Sequence, residues 1–215
     1  MWLMFKRNNQ VKAMEKKGIF IVFEGLDGSG SSTQAGMLKD YLKKFGLKPH
    51  LTKEPTNNLI GGLIRGALTK EWQASIRCIQ LLFAADRAHH LDREILPALK
   101  NGTVVISDRY FFSTIAFGSL DCGVEWLKAL NQGFLEPDII YVIKVSPEEC
   151  MKRIGKSRFE FELFEETEKL KKVWNTYEQL AQTHNNTHVI DGTRSKEEVH
   201  SEVVRILTEF TTKNK

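Results

Sequence analysis

Ile19-Phe20-Ile21-Val22-Phe23-Glu24-Gly25-Leu26-Asp27-Gly28-Ser29-Gly30-Ser31-Ser32-Thr33 passes from an apolar run through a glycine-rich turn into the start of a helical pattern. A strand wetted on one face alternates apolar with polar residues, whereas Ile19 to Phe23 is apolar throughout, as in a strand covered on both faces of a parallel sheet. Gly25, Gly28 and Gly30 permit the positive-φ turns that aim successive backbone N–H groups inward. The helix that follows adds partial positive charge at its N-terminus. Strand, turn and helix together form a main-chain cradle suited to phosphate.

Further short apolar runs follow at Pro49–Thr52, Thr103–Ser107, Ile139–Ile143 and His188–Ile190. Between them are helical periods: Met37, Leu38, Tyr41, Leu42 and Phe45 share one face, as do Val199, Val203, Ile206, Leu207 and Phe210. Strands alternating with helices predict right-handed crossovers and an α/β fold, a three-layer sandwich around a five-stranded parallel sheet. Pro97 falls inside an apolar pattern from Ile76 to Leu99, so that helix should bend or restart there. Ser146 before Pro147, with Glu149 three residues on, reads as a helix cap.

Against the P-loop pattern G-x-x-x-x-G-K-[ST], Gly25, Gly30 and Ser32 match and Ser31 replaces the lysine that reaches the β and γ phosphates. Ser32 stands where the hydroxyl ligand of Mg²⁺ belongs. Taken alone, the nonapeptide Gly25–Thr33 reads equally well as a plain turn between strand and helix.

The chain has 215 residues and a formal charge of +4. It fits one domain with a full core. Lys6, Arg7, Lys12, Lys16 and Lys17 against Glu15 carry the whole excess, leaving Gly18–Lys215 neutral, so the body lacks the basic stripe of a nucleic-acid binder. No apolar run approaches the roughly 20 residues of a membrane span. Cys78, Cys122 and Cys150 are odd in number and share no C-x-x-C spacing, which suits a reducing cytoplasm. His184 and His188 have no third partner for a metal. Residues 1–17 are read as a basic upstream extension or disordered tail, with the body of the chain beginning at Gly18. The charged interruption around residues 153–161 is read as a flap.

Several segments, in order, resemble the thymidylate kinase family of nucleoside monophosphate kinases. They are Glu24–Gly30, Lys53-Glu54-Pro55, Leu81–Arg87, Asp108-Arg109-Tyr110 with Ser113 and Ala116-Phe117, Pro137-Asp138, Arg158-Phe159-Glu160 and Ile190–Thr193. The resemblance implies transfer of the γ-phosphoryl group of ATP to dTMP with Mg²⁺, and a homodimer formed through helices flanking the sheet. It assigns Gly25, Leu26, Asp27, Gly28, Ser29, Gly30, Ser31, Ser32 and Thr33 to the ATP phosphates, and Ser32 with Asp108 to the metal. Asp27, Pro55, Arg65, Phe83, Arg87, Arg109 and Phe117 are assigned to the acceptor. Phe83 and Arg87, four apart on one helix face, would offer an aromatic plate to the base and a cation to the 5′-phosphate. Asp27 would contact the 3′-hydroxyl, and Phe117 would crowd a 2′-hydroxyl. Arg109, at the carboxyl end of a parallel strand, would by the same resemblance be a second phosphate clamp.

One subgroup of the family carries an arginine where this chain has Gly28; the other supplies it from the flap, the arrangement that Arg153, Lys156 and Arg158 resemble. Arg158 would then approach the transferring group, Arg153 would lie along the adenine, and Lys156 would partly replace the absent lysine. Lys53 departs from the usual arginine, and Thr56 from the usual glycine. Two other readings stay open on these residues: a kinase for a different nucleotide or nucleoside, and a nucleotide-binding protein that lost catalysis with its lysine.

Overall fold

The computed structural model describes residues 18–155 and 160–213. In chain order the elements are β1 (Ile19–Gly25), α1 (Ser31–Lys43), β2 (His50–Lys53), α2 (Leu59–Leu68), α3 (Ile76–His90), α4 (Leu96–Lys100), β3 (Val104–Asp108), α5 (Phe111–Gly118) and α6 (Val124–Asn131). β4 (Ile139–Lys144), α7 (Pro147–Ile154), α8 (Glu160–Thr183), β5 (Thr187–Asp191) and α9 (Lys196–Lys213) complete them. The five strands form one parallel sheet in the order β2-β3-β1-β4-β5. The α/β architecture expected from the apolar runs is present. Each strand after β1 ends on a charged residue, Lys53, Asp108, Lys144 or Asp191, because its last position reaches the rim of the sheet.

Every residue of β1 is buried, since helices cover both faces of the sheet. Alternation along the strand divides its side chains. Phe23 packs on Tyr141, whose hydroxyl donates to the Val203 carbonyl of α9, and α9 packs on α1. Phe20 packs edge-on to Tyr110, and Glu24 meets Ser113 of α5 and Tyr177 of α8 on the other face. Each large apolar side chain removed from water here contributes about 2 kcal/mol, which is how the sheet offsets its ordering entropy.

The predicted break at Pro97 appears as a π-helical turn, Leu91–Ile95, between α3 and α4, with Pro97 in the first turn of α4. Widening the helix there spares the proline ring a clash with the preceding turn. Ser146 caps α7 by accepting from the Glu149 amide at 3.2 Å, with Pro147 at the first position.

In α2, a Cβ on Gly61 would lie 2.0 Å from the Thr56 carbonyl oxygen, whereas one on Gly62 would meet only the end of the Arg65 side chain at 3.9 Å. Gly62→Ala should therefore stabilise the fold by about 0.5–1 kcal/mol through helix propensity. Gly61→Ala should destabilise it by about 1–3 kcal/mol through overpacking. Urea unfolding of the two variants measures both signs.

Candidate active site

Sheet register brings three chain segments to one level. Phe23 pairs with Asp108, Lys53 also pairs with Asp108, and the Glu54 amide donates to the Asp108 carbonyl at 3.1 Å. The strand order reverses direction at β1, so the crevice beyond its carboxyl end is where an open α/β sheet places ligands.

The glycine-rich turn fills one side of that crevice. Gly28 and Gly30 have φ of 82° and 96°, and Gly30 opens α1. A Cβ on Gly28 would sit 2.7 Å from the Cys150 carbonyl oxygen, so the turn lies directly against α7. Leu26 to Thr33 line a cavity of about 660 Å³, shared with Arg109, Arg153, Arg194 and Lys196. Ser31 is buried and brings no charge; its Oγ is 3.5 Å from Asp108 Oδ1. Arg153 donates to the Ser29 carbonyl at 3.5 Å, the Gly192 carbonyl at 3.2 Å and Glu149 at 3.1 Å, which places its guanidinium beside the turn. Arg194 pairs with Glu202 at 2.8 Å. The signal that could have found Arg194 and Lys196 is their position just beyond the carboxyl end of β5. Lys156 and Arg158 lie outside the described residues.

At the end of β3, the Ser32 hydroxyl donates to Asp108 Oδ2 at 2.5 Å. These are hard oxygen donors at the mouth of the phosphate turn, a set that fits Mg²⁺, which takes few protein ligands and completes its shell from phosphate and water. Among the described residues no cluster of three or more His, Cys, Asp and Glu side chains offers an alternative metal cage.

Arg109 follows with φ 75°, a left-handed conformation that non-glycine residues seldom adopt. Its amide donates to the Phe23 carbonyl at 2.8 Å. Its guanidinium donates to Gly25 O at 2.9 Å, Ser113 Oγ at 2.8 Å, Tyr177 OH at 3.4 Å and Asp27 Oδ1 at 2.7 Å, and lies 5.5 Å from the Phe117 ring centre. Beneath it, Glu24 is wholly buried and accepts from the amides of Tyr110 and Ser113 and from the hydroxyls of Ser113 and Tyr177. Burial pushes its carboxyl up to about 7, against the opposing pull of Ser113 and Arg109.

A second cavity, of about 510 Å³, opens on the other side of Arg109 and Asp27, which line both. Its walls include Lys53, Pro55, Phe83, Arg87 and Phe117. Arg87 is fully buried. Its Nε and Nη2 donate to Glu54 Oε2 at 3.0 and 2.7 Å, Nη2 also to Thr114 at 2.8 Å, and Nη1 to Asn131, while the guanidinium lies 4.9 Å from the Tyr110 ring centre. The expected face shared by Phe83 and Arg87 does border this cavity, but Arg87 is committed to internal partners. Arg65 does not line it; its Nη1 donates to the carbonyls of Thr56 and Pro55, the latter at 3.4 Å, holding the β2–α2 segment. The same segment is tied to α3 by the Thr56 amide and hydroxyl on Asp86, at 2.7 and 2.6 Å. Apolar patterning gave no hint of Glu54, Asp86, Thr114 or Asn131 as partners; Glu54 and Asp86 fall within the quoted segments Lys53-Glu54-Pro55 and Leu81–Arg87, but nothing there marked them as partners.

Comparison with known proteins places the chain in a family. The family model described as thymidylate kinase matches residues 23–203. A probable thymidylate kinase of Thermococcus onnurineus is 37% identical over 198 residues, covering 88% of this chain and 97% of the relative. The thymidylate kinase of Plasmodium falciparum is 37% identical over 200 residues, covering 91% and 92%, and that of Fervidobacterium nodosum 36% over 200 residues, covering 89% and 100%. With the family model matching residues 23–203 and these relatives 36–37% identical along most of its length, the chain belongs to the thymidylate kinase family.

Proposed function

We propose that the protein transfers the γ-phosphoryl group of ATP to dTMP, giving ADP and dTDP. The observation that carries this is the pair of cavities meeting at Asp27 and Arg109, which suits two nucleotides held phosphate to phosphate. ATP phosphates occupy the amide-lined turn, and the acceptor's monophosphate takes the junction beside Arg109. The base then falls in the part of the second cavity that the loop cavity does not share, between Phe83 and the buried Arg87. That assignment moves Arg87 from the phosphate, where its spacing to Phe83 suggested it, to the base end. Phe117, packed edge-on to Tyr177 and against Arg109, stands where the sugar passes and leaves little room for a 2′-hydroxyl.

Phosphoryl transfer needs alignment and charge neutralisation more than a base, because the acceptor oxygen is already ionised. Ser32 and Asp108 would hold Mg²⁺, which supplies charge for the β and γ oxygens. Main-chain amides of Gly28 to Ser32 orient the donor. Arg109 holds the acceptor, and Arg153 flanks the turn. Lys156 and Arg158 follow Arg153 closely in sequence, and we assign them the remaining charge. A missing preorganised donor costs about 3–4 kcal/mol in the transition state, so this compensation is substantial.

We take residues from Gly18 onward as one kinase domain with a flap around 153–161, acting in the reducing cytoplasm that three unpaired cysteines suit. A second copy is the natural cover for an apolar face on α2 and α3, where Leu59 is 81%, Leu63 44% and Leu81 52% exposed and Ala85 and Ala88 leave room for close approach.

ADP release with Mg-ATP should proceed with dTMP and fall by at least about tenfold in kcat/KM with dCMP, dGMP or thymidine, as expected where a site loses buried polar partners. Equal rates across the set, or none, would refute the assignment. Arg158→Ala should remove most turnover while calorimetric dTMP affinity persists, and Ser31→Lys should raise kcat by about tenfold or more. Leu63→Glu should halve the mass measured by light scattering.

A further inference from the structure

We propose that Glu24 is a positioning residue that orients Arg109 toward the acceptor phosphate through the hydroxyls of Ser113 and Tyr177. This rests on the phosphate junction inferred above. Arg109 Nη1 donates to Ser113 Oγ at 2.8 Å and Tyr177 OH at 3.4 Å; the Ser113 hydroxyl donates to Glu24 Oε2, and the Tyr177 hydroxyl shares its one proton among Ser113 Oγ at 2.8 Å, the Gly25 carbonyl at 3.2 Å and Glu24 Oε2 at 3.3 Å. The other carboxylate oxygen accepts from the Tyr110 and Ser113 amides at 2.9 and 3.3 Å, so the carboxylate joins the segment just after Arg109 to β1.

An ionised carboxylate only accepts. It draws the Ser113 proton to itself, so Ser113 Oγ keeps its lone pairs for Arg109 and for the Tyr177 hydroxyl 2.8 Å away, and toward both hydroxyls the carboxylate acts as an acceptor alone. A glutamic acid, or a glutamine, must donate to one of them and reverses that link. Exposed salt bridges hold an arginine loosely, and Asp27, whose side chain is 67% exposed, is among the described residues the one carboxylate bonded to Arg109 from outside. The buried relay, together with the Gly25 carbonyl at 2.9 Å, is therefore what sets its direction. No chemistry on substrate is asked of Glu24, which touches neither cavity.

The charged and titratable groups around the carboxyl are Arg109 and Tyr110 from the β3–α5 segment and Tyr177 from α8, with Asp27 and Asp108 on the far side of Arg109. Burial raises the carboxyl from 4.5 to about 7. Two consequences run in opposite directions. The folded state favours the protonated carboxyl, so Glu24's contribution to stability is complete below 4.5 and is lost as pH rises through 7. Ordering of Arg109 is instead complete only above that value.

The test compares full-length wild type with Glu24→Gln from about pH 5.5 to 9. At saturating ATP the variant should raise KM for dTMP by about tenfold near pH 8 with KM for ATP within about twofold, the loss of one charge-assisted link. Substrate ionisation is common to both proteins, so the wild-type to variant ratio of kcat/KM should approach one below about pH 6 and climb through 7. Over the same range the variant's melting temperature should gain on that of wild type. A pH-independent ratio, or equal rises in both KM values, would overturn the inference. If wild type does not turn over dTMP, the substrate assignment fails. Calorimetric binding of dTMP to both proteins across the same pH range then decides Glu24 separately, equal affinities at every pH overturning it. Should Glu24→Gln not fold, Tyr177→Phe keeps the carboxylate and removes one link, and it should give a smaller rise in KM for dTMP; an unchanged KM would overturn the relay.

Discussion

The hydrogen bond from the Arg109 amide to the Phe23 carbonyl holds the centre of this molecule in register. It extends the β1–β3 ladder one residue beyond the last strand position and turns the chain through a left-handed residue, which sends the guanidinium back across β1 to the Gly25 carbonyl. The glycine-rich turn and the Arg109 guanidinium are thus fixed to each other by adjacent strands, not by loops that could drift. Alignment of reacting groups is worth several kcal/mol of barrier, and a displacement of about 1 Å can forfeit much of it. On the proposed assignment, attaching both sides of the reaction to one pair of strands is how the fold would secure that alignment.

Much of this was readable in the residues. The apolar run before Gly25 and its weaker repeats led to the parallel sheet, and glycine spacing to the phosphate turn, because both patterns have local causes: two-sided burial and positive φ. The strand ends were harder. Lys53, Asp108 and Asp191 belong to their strands although nothing apolar marks them, since hydrogen bonding continues to the rim while burial does not. The partners of Arg87 were illegible for a different reason. Glu54, Thr114 and Asn131 come from three separate segments, and only the fold brings them to one guanidinium.

That buried group illustrates a division of labour among the arginines. Arg87, with Glu54 and His90 around it, is fully desolvated, and breaking such a pair costs far more than forming it yields. Its value lies in rigidity: it ties α3 to the β2–α2 segment and to α6, so the aromatic and polar lining of the second cavity is held before any ligand arrives. Arg109 keeps one flank open to both cavities. Arg153 sits at the last turn of its helix, half in water, and is positioned chiefly by carbonyl oxygens.

The carbonyl of Cys150 beneath Gly28 bears on how such enzymes can vary. With α7 pressed this close, the turn has no vacancy for any side chain at that position, let alone one as long as arginine. A lineage that lost its loop lysine could not repair the deficit at the neighbouring glycine without first lifting a helix off the loop. On the proposed assignment, charge is recruited instead from the sequence that follows that helix, which would tie catalytic competence to the composition of a segment outside the glycine-rich turn.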